Sequence, residues 1–290
     1  MAGGDRTAGK VRETMKHERI ELGVAGAYMD TYFLESSEKL RNSWLRPLIL
    51  VCPGGGYVGT ADREAEPIAL AFAAKGFHTA VLRYPVAPNR FPTALYSLGK
   101  AMLWLKAHAE ENHIDAAHIA VTGYSAGGHL AASLGVFWNR PFLSEALGCD
   151  PEQLRPCALI LGYPVITSGE FAHRGSFINL LGEEASEEML EMQALEKQVT
   201  ADTPTTFLWH TCADQGVPVE NSLLFASALR RAGVSFELHV YSEGVHGLAL
   251  GSEITANAEG NMVCEDCVGW VDLAAAWFSR ETGWPKKSGQ

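Results

Sequence analysis

The sequence is poor in positive charge. Its 23 lysines and arginines face 34 aspartates and glutamates, a formal net charge of -11 over 290 residues. Phosphate recognition needs clustered cations, and only the pairs Arg230-Arg231 and Lys286-Lys287 stand out. No nucleic-acid partner is expected. Long apolar runs are also missing. No stretch reaches the roughly 18 uninterrupted apolar residues of a membrane span, so no membrane partner is expected. The opening residues Met1-Ala2-Gly3-Gly4-Asp5-Arg6 form no apolar leader. The expected compartment is the cytoplasm. Cysteine is sparse and scattered, at positions 52, 149, 157, 212, 264 and 267, which is not a disulfide framework. Cys264-Glu265-Asp266-Cys267 lacks the second ligand pair of a zinc site and precedes a C-terminal helix, so it is read as structural. No metal is expected.

What is present suits one large α/β unit. Hydrophobic residues make up 47% and charged residues 20%, an ordinary globular balance. Apolar runs at residues 48–52, 78–84, 119–122, 158–161, 206–209 and 236–241 read as strands. Between or after them, residues 64–75, 92–109, 125–137, 219–232 and 268–279 carry helical patterning. This alternation predicts a mostly parallel sheet with helices on both faces. Segments 19–24 and 28–34 should add an antiparallel hairpin at one edge. Residues 165–202 interrupt the rhythm, with a glutamate-rich helical stretch at 186–198. A connection of that length leaving the C-terminal end of a central strand is expected to be a lid. The whole chain, 1–290, is thus expected to be one domain with a lid insertion at about 165–202.

The chemistry centres on Gly123-Tyr124-Ser125-Ala126-Gly127. An apolar strand precedes it and an alanine-rich helix follows. That is the setting of a nucleophile elbow, in which a tight turn pushes the serine hydroxyl clear of the sheet. A serine needs a base, and in this fold the partners follow in the order serine, acid, histidine. His246 lies in a glycine-flanked loop after the last strand. The other nine histidines sit within strands, in helices, in the N-terminal segment, in the lid, or before the acid. Asp214 closes the preceding strand, whereas Glu220 and Asp202 lie at the wrong places. The oxyanion of a tetrahedral intermediate needs donors. The amide of Ala126 is one. Pro53-Gly54-Gly55-Gly56-Tyr57 supplies the other, with Gly55 preferred and Gly54 or Gly56 as its helper. No Gly-Lys-Ser/Thr follows, which argues against a phosphate loop. Such chemistry calls for no cofactor.

Together these residues resemble the α/β-hydrolase esterases of the acetyl-xylan esterase and feruloyl-esterase-like group, often labelled xylanase-like. The matching segments are Pro53-Gly54-Gly55-Gly56-Tyr57, Arg83-Tyr84-Pro85, residues 123–131, Tyr163-Pro164-Val165-Ile166, Asn179-Leu180-Leu181-Gly182, residues 217–222 and residues 244–248. The resemblance implies a serine carboxylesterase that deacetylates acetylated xylo-oligosaccharides or related sugars. The implied partner is a small ester, an acylated oligosaccharide; a homo-oligomer is left open. A glycosidase would need two paired carboxylates, which the pattern does not offer. Where related lipases begin the oxyanion loop with histidine, this chain has Pro53. Tyr57 is assigned to substrate binding, where it would stack on a sugar, with simple packing as the alternative, and His173 and Ser176 either touch the sugar from the lid or pack within it. Trp209, in an apolar strand, should pack. Two other readings keep the fold: a prolyl-oligopeptidase-type peptidase or amidase, and a non-catalytic binder.

Overall fold

The computed structural model describes residues 15–40 and 44–284; the Lys286-Lys287 pair and the first fourteen positions lie outside them. Eight strands form one sheet among the described residues: β1 (Lys16–Glu21), β2 (Tyr28–Phe33), β3 (Arg46–Cys52), β4 (His78–Arg83), β5 (Ile114–Tyr124), β6 (Leu159–Gly162), β7 (Thr206–Thr211) and β8 (Phe236–Tyr241). Their order is β1-β2-β4-β3-β5-β6-β7-β8. The β1–β2 hairpin is the antiparallel edge, with β2 paired antiparallel to β4. All other pairings are parallel. β3 is buried from its second residue onward and β7 throughout. Both faces of these strands are covered, so they read as continuous apolar runs rather than alternating ones.

Two apolar layers cover the sheet. On one face pack α2 (Thr93–Ala107), α3 (Ala126–Phe137) and α7 (Glu220–Ala232), through residues such as Leu98, Leu130 and Phe225. On the other lie α1 (Glu66–Ala73) and α8 (Trp270–Thr282), through Ile68, Phe72, Trp270 and Trp277. A short helix, α4 (Pro141–Leu147), follows α3 and was not apparent from patterning. β8 closes the other edge of the sheet and is only half-buried.

Two elements depart from expectation. The helix expected over 64–75 is split: a single 3-10 turn spans Asp62–Glu64, and the chain breaks direction at Ala65 (φ -102°, ψ -106°) before α1 begins. The break turns Glu64 inward, to 3% exposure. The helical stretch expected over 186–198 is also shorter. Between β6 and β7 the chain forms α5 (Arg174–Leu181), α6 (Glu187–Met192) and a 3-10 turn at Leu195–Lys197. Ser186 caps α6 by accepting from the Met189 amide, so the start of that helix was legible.

Candidate active site

The C-terminal ends of the parallel strands converge on one region. Ser125 follows β5, Asp214 follows β7 and His246 follows β8. Parallel strands with right-handed crossovers place the loops after their C-terminal ends together, which is where open α/β sheets bind ligands. Ser125 sits at φ 54° and ψ -123°, just before α3. The elbow depends on Gly127. A Cβ there would drive into the carbonyls of Cys52 and Pro53, so only glycine lets α3 start this close to the oxyanion loop.

The three side chains form a continuous chain of hydrogen bonds. Asp214 Oδ2 and His246 Nδ1 are 2.7 Å apart, and His246 Nε2 and Ser125 Oγ are 2.8 Å apart. A carboxylate oxygen only accepts, so Nδ1 carries the proton and Nε2 is left to accept from the serine hydroxyl. Asp214 is 5% exposed, and its Oδ1 accepts from the amides of Gly216 and Val217 at 2.8 and 2.9 Å. Burial works to raise its pKa. Hydrogen bonds from His210 and His246, with the Val217 amide, outweigh that and hold the carboxyl well below the usual range.

His210 was set aside as a base because it precedes the acid. It is fully buried, with Nε2 3.4 Å from Asp214 Oδ2 and 2.9 Å from the Val217 carbonyl. That carbonyl also only accepts, so Nε2 carries the proton and Nδ1 accepts from Ser222 Oγ at 2.8 Å. The aspartate therefore lies between two imidazoles. Nothing local in the sequence signals the second one.

The glycine loop at residues 53–57, the expected oxyanion loop, is clamped from several sides. Tyr84 Oη donates to the Pro53 carbonyl at 2.6 Å, and Arg83 reaches the Thr60 hydroxyl and Asp62 carboxylate, each at 2.9 Å. These contacts account for the Arg83-Tyr84-Pro85 segment. Asn179, from α5, donates to the Gly56 carbonyl at 2.9 Å. The Gly54 amide is already committed to the Glu64 carboxylate at 2.7 Å. Gly55 and Gly56 have no amide acceptor among the described residues, and Ala126 stands at the first position of α3, where amides lack helical partners.

Tyr57 is corrected by the structure. Its side chain is 3% exposed, and its hydroxyl donates to His129 Nδ1 at 3.0 Å. His129 in turn donates from Nε2 to the Gln193 carbonyl at 3.1 Å. The ring is thus consumed in joining the oxyanion loop to the 165–202 segment, and it offers no face for stacking on a sugar. Trp209 is fully buried, as expected. His173 and Ser176 bond to each other at 2.8 Å. Ser176 is buried, while His173 is half-buried and near enough to His246 and Asp214 to feel their charge. Burial, then His246, lowers its pKa. Among the described residues no group of three or more His, Cys, Asp or Glu could hold a metal ion, and no helix is long and apolar enough to cross a membrane.

Comparison with known proteins agrees with this architecture. Residues 30–229 match the family model BD-FAE. Endo-1,4-beta-xylanase B of Butyrivibrio fibrisolvens is 36% identical over 219 residues, 72% of this chain and 33% of that protein. An acetylxylan esterase of Xylanibacter ruminicola is 27% identical over 210 residues, 70% of this chain and 41% of that protein. The chain therefore spans well under half the length of these two relatives. The crystal structure of an acetyl ester-xyloside bifunctional hydrolase from Caldicellulosiruptor lactoaceticus superposes with a TM-score of 0.79 at 35% identity, covering 92% of this chain and 97% of the other. By sequence and by fold, the chain belongs to the BD-FAE and acetyl-xylan-esterase-like group of α/β-hydrolase esterases.

Proposed function

We propose that the protein is a serine carboxylesterase whose preferred substrates are acetylated xylo-oligosaccharides or related acylated sugars. The observation that carries this is the unbroken chain from Asp214 through His246 to Ser125, with links of 2.7 and 2.8 Å. Ser125 Oγ attacks the ester carbonyl as His246 Nε2 takes its proton. The carbonyl π electrons move onto oxygen, where the amides of Ala126, Gly55 and Gly56 receive the charge. Collapse expels the sugar hydroxyl, protonated by the His246 imidazolium, and leaves acetyl-Ser125. Water then adds with His246 as base, and acetate departs as Ser125 regains its proton. Asp214 keeps the imidazole in the required tautomer and stabilises its cationic form. The 165–202 segment covers the site as a lid, with His173 at its inner edge. No cofactor enters this scheme.

The sugar-acetate assignment is supported by the names of relatives: one is an acetylxylan esterase and another a hydrolase of acetyl esters and xylosides. The mechanism is tested with p-nitrophenyl acetate. Ser125→Ala should lower turnover by about 10⁶-fold, and parental hydrolysis by that variant would sink the reading. Acetate release from a panel of acetylated oligosaccharides, set beside a feruloyl ester, tests the substrate. Faster cleavage of the feruloyl ester would reassign it.

A further inference from the structure

Glu64 is a carboxyl group where none is expected. It is 3% exposed, at the end of the 3-10 turn that precedes α1. Its Oε2 accepts from the Gly54 amide at 2.7 Å, and its Oε1 accepts from Tyr163 Oη at 2.8 Å. Tyr163 Oη also accepts from the Ala249 amide at 2.9 Å, and its ring packs edge-on against His246 at 5.2 Å between centroids. One side chain therefore touches the oxyanion loop with one oxygen and, through one tyrosine, the loop that carries His246 with the other.

The fit is close. A Cβ on Gly54 would lie 2.6 Å from the Tyr124 carbonyl, 2.7 Å from Glu64 Oε2 and 2.9 Å from Ser125 Cβ. Glu64 Oε1 would lie 3.9 Å from a Cβ placed on Gly247, beside His246. Burial raises the Glu64 pKa, while the hydrogen bonds from Tyr163 and Gly54, then His246 and Arg63, work to lower it, so both oxygens are held as acceptors against the cost of burying the charge. Among the described residues no lysine or arginine is bonded to it. The charged or titratable groups around it are His246, Arg63, Tyr163, Tyr124 and Tyr84, and around His246 they are Asp214, His173 and Tyr163. Besides Arg63, the cation that Glu64 faces is the one that forms on His246 during turnover.

We propose that Glu64 is a positioning residue of the ester-cleaving site, holding the oxyanion loop at Gly54 and the histidine loop through Tyr163, and stabilising the His246 imidazolium as it forms. This rests on the esterase reading above. It goes beyond that reading by tying donors and base to one buried carboxylate. It also explains the choice of donors: Gly54 is spent on Glu64, which leaves Gly55 and Gly56 for the substrate.

The test uses the full-length protein with Glu64→Gln and Tyr163→Phe. Glutamine keeps the shape and one acceptor but removes the charge. Phenylalanine keeps Glu64 and its bond to Gly54 but cuts the link to the histidine loop. For p-nitrophenyl acetate, kcat should fall by about 10-fold or more in Glu64→Gln, with KM nearly unchanged. Loss of a nearby carboxylate disfavours the imidazolium, so the acid limb of kcat/KM should move about one pH unit lower. The His246 imidazole titration, followed by NMR without substrate, should move the same way. Tyr163→Phe should shift kcat and the acid limb in the same directions, which keeps the test open if Glu64→Gln folds poorly. Parental kcat and an unmoved acid limb in a folded variant overturn the proposal, as does an unmoved His246 titration. If the parent cleaves no ester while Glu64→Gln still displaces that titration, only the esterase reading falls.

Discussion

Ser125 holds a positive φ of 54°, a region that side chains with a Cβ visit at a cost of order 1–3 kcal/mol. The turn keeps it there because β5 and α3 are both anchored in the core. That strain lifts the hydroxyl to within 2.8 Å of His246. Asp214 accepts from the other ring nitrogen of the same imidazole at 2.7 Å. Asp214→Asn removes the charge and presents a donor to Nδ1, favouring the wrong tautomer. Turnover should fall by about 10⁴-fold while the fold persists, as steady-state kinetics and circular dichroism would show; a loss under tenfold would contradict that role. These three positions were readable because each ends or follows a strand and the order is set by the fold. Glu64 and His210 were not. Tyr163, the second partner of Glu64, lies on a distant segment, and although His210 meets Asp214, Val217 and Ser222 within the next twelve residues, a histidine ending a strand does not show which way the following loop will fold back. Tyr57 misled for the same reason. Beside a glycine loop it looks like a ligand platform, but α3 brings His129 to its hydroxyl.

Between β6 and β7, the stretch that leads into the two short helices is held by α7. Asn221, fully buried near the start of α7, accepts from the amides of Ile166 and Thr167 at 2.8 and 3.1 Å. It donates to the carbonyls of Phe171 and Pro218 at 2.9 and 3.0 Å. One amide side chain thus satisfies the backbone where the chain leaves β6. Asn221→Ala leaves two buried N–H groups unpaired, at about 1–3 kcal/mol each. Urea unfolding should register a loss of about 3 kcal/mol; a loss below about 1 kcal/mol would mean that water or a local shift replaces the side chain. The strand pattern was legible at this scale because apolar runs bounded by glycine and proline are local signals. The break at Ala65 was not, since the buried hydrogen bonds that favour turning Glu64 inward go to Gly54 in the preceding loop and to Tyr163 far along the chain.

Across the whole molecule, two buried histidines contribute to the response to acid. Burial, with Arg46 nearby, pushes His78 down to about 3, and burial pushes His129 down to about 4. Each is expected near 6.5 in the unfolded chain. Between the two values the unfolded state takes a proton that the folded state refuses. Their contribution is therefore fully present above about pH 6.5 and is lost as pH falls toward the folded values. Near pH 5 each should add about 1.4 kcal/mol per pH unit to the slope of unfolding free energy. In His78→Asn the slope should flatten by that amount, whatever the variant's absolute stability. An unchanged slope in urea titrations at pH 5 to 6 would remove His78 as a source.

The position of β8 has a consequence for how the enzyme fails. The serine and the glycine amides follow strands with a neighbour on each side, but among the described residues His246 follows an edge strand that pairs with β7 alone. Edge elements open at lower free energy than the centre of a sheet. In mild urea the base should detach before the nucleophile's surroundings melt. Ester hydrolysis should then vanish at a lower denaturant concentration than the far-ultraviolet dichroism, whereas coincident transitions would show that β8 is as firmly seated as the central strands. The protein would pass through a state that is folded, keeps its acyl acceptor in place, and has lost its proton carrier.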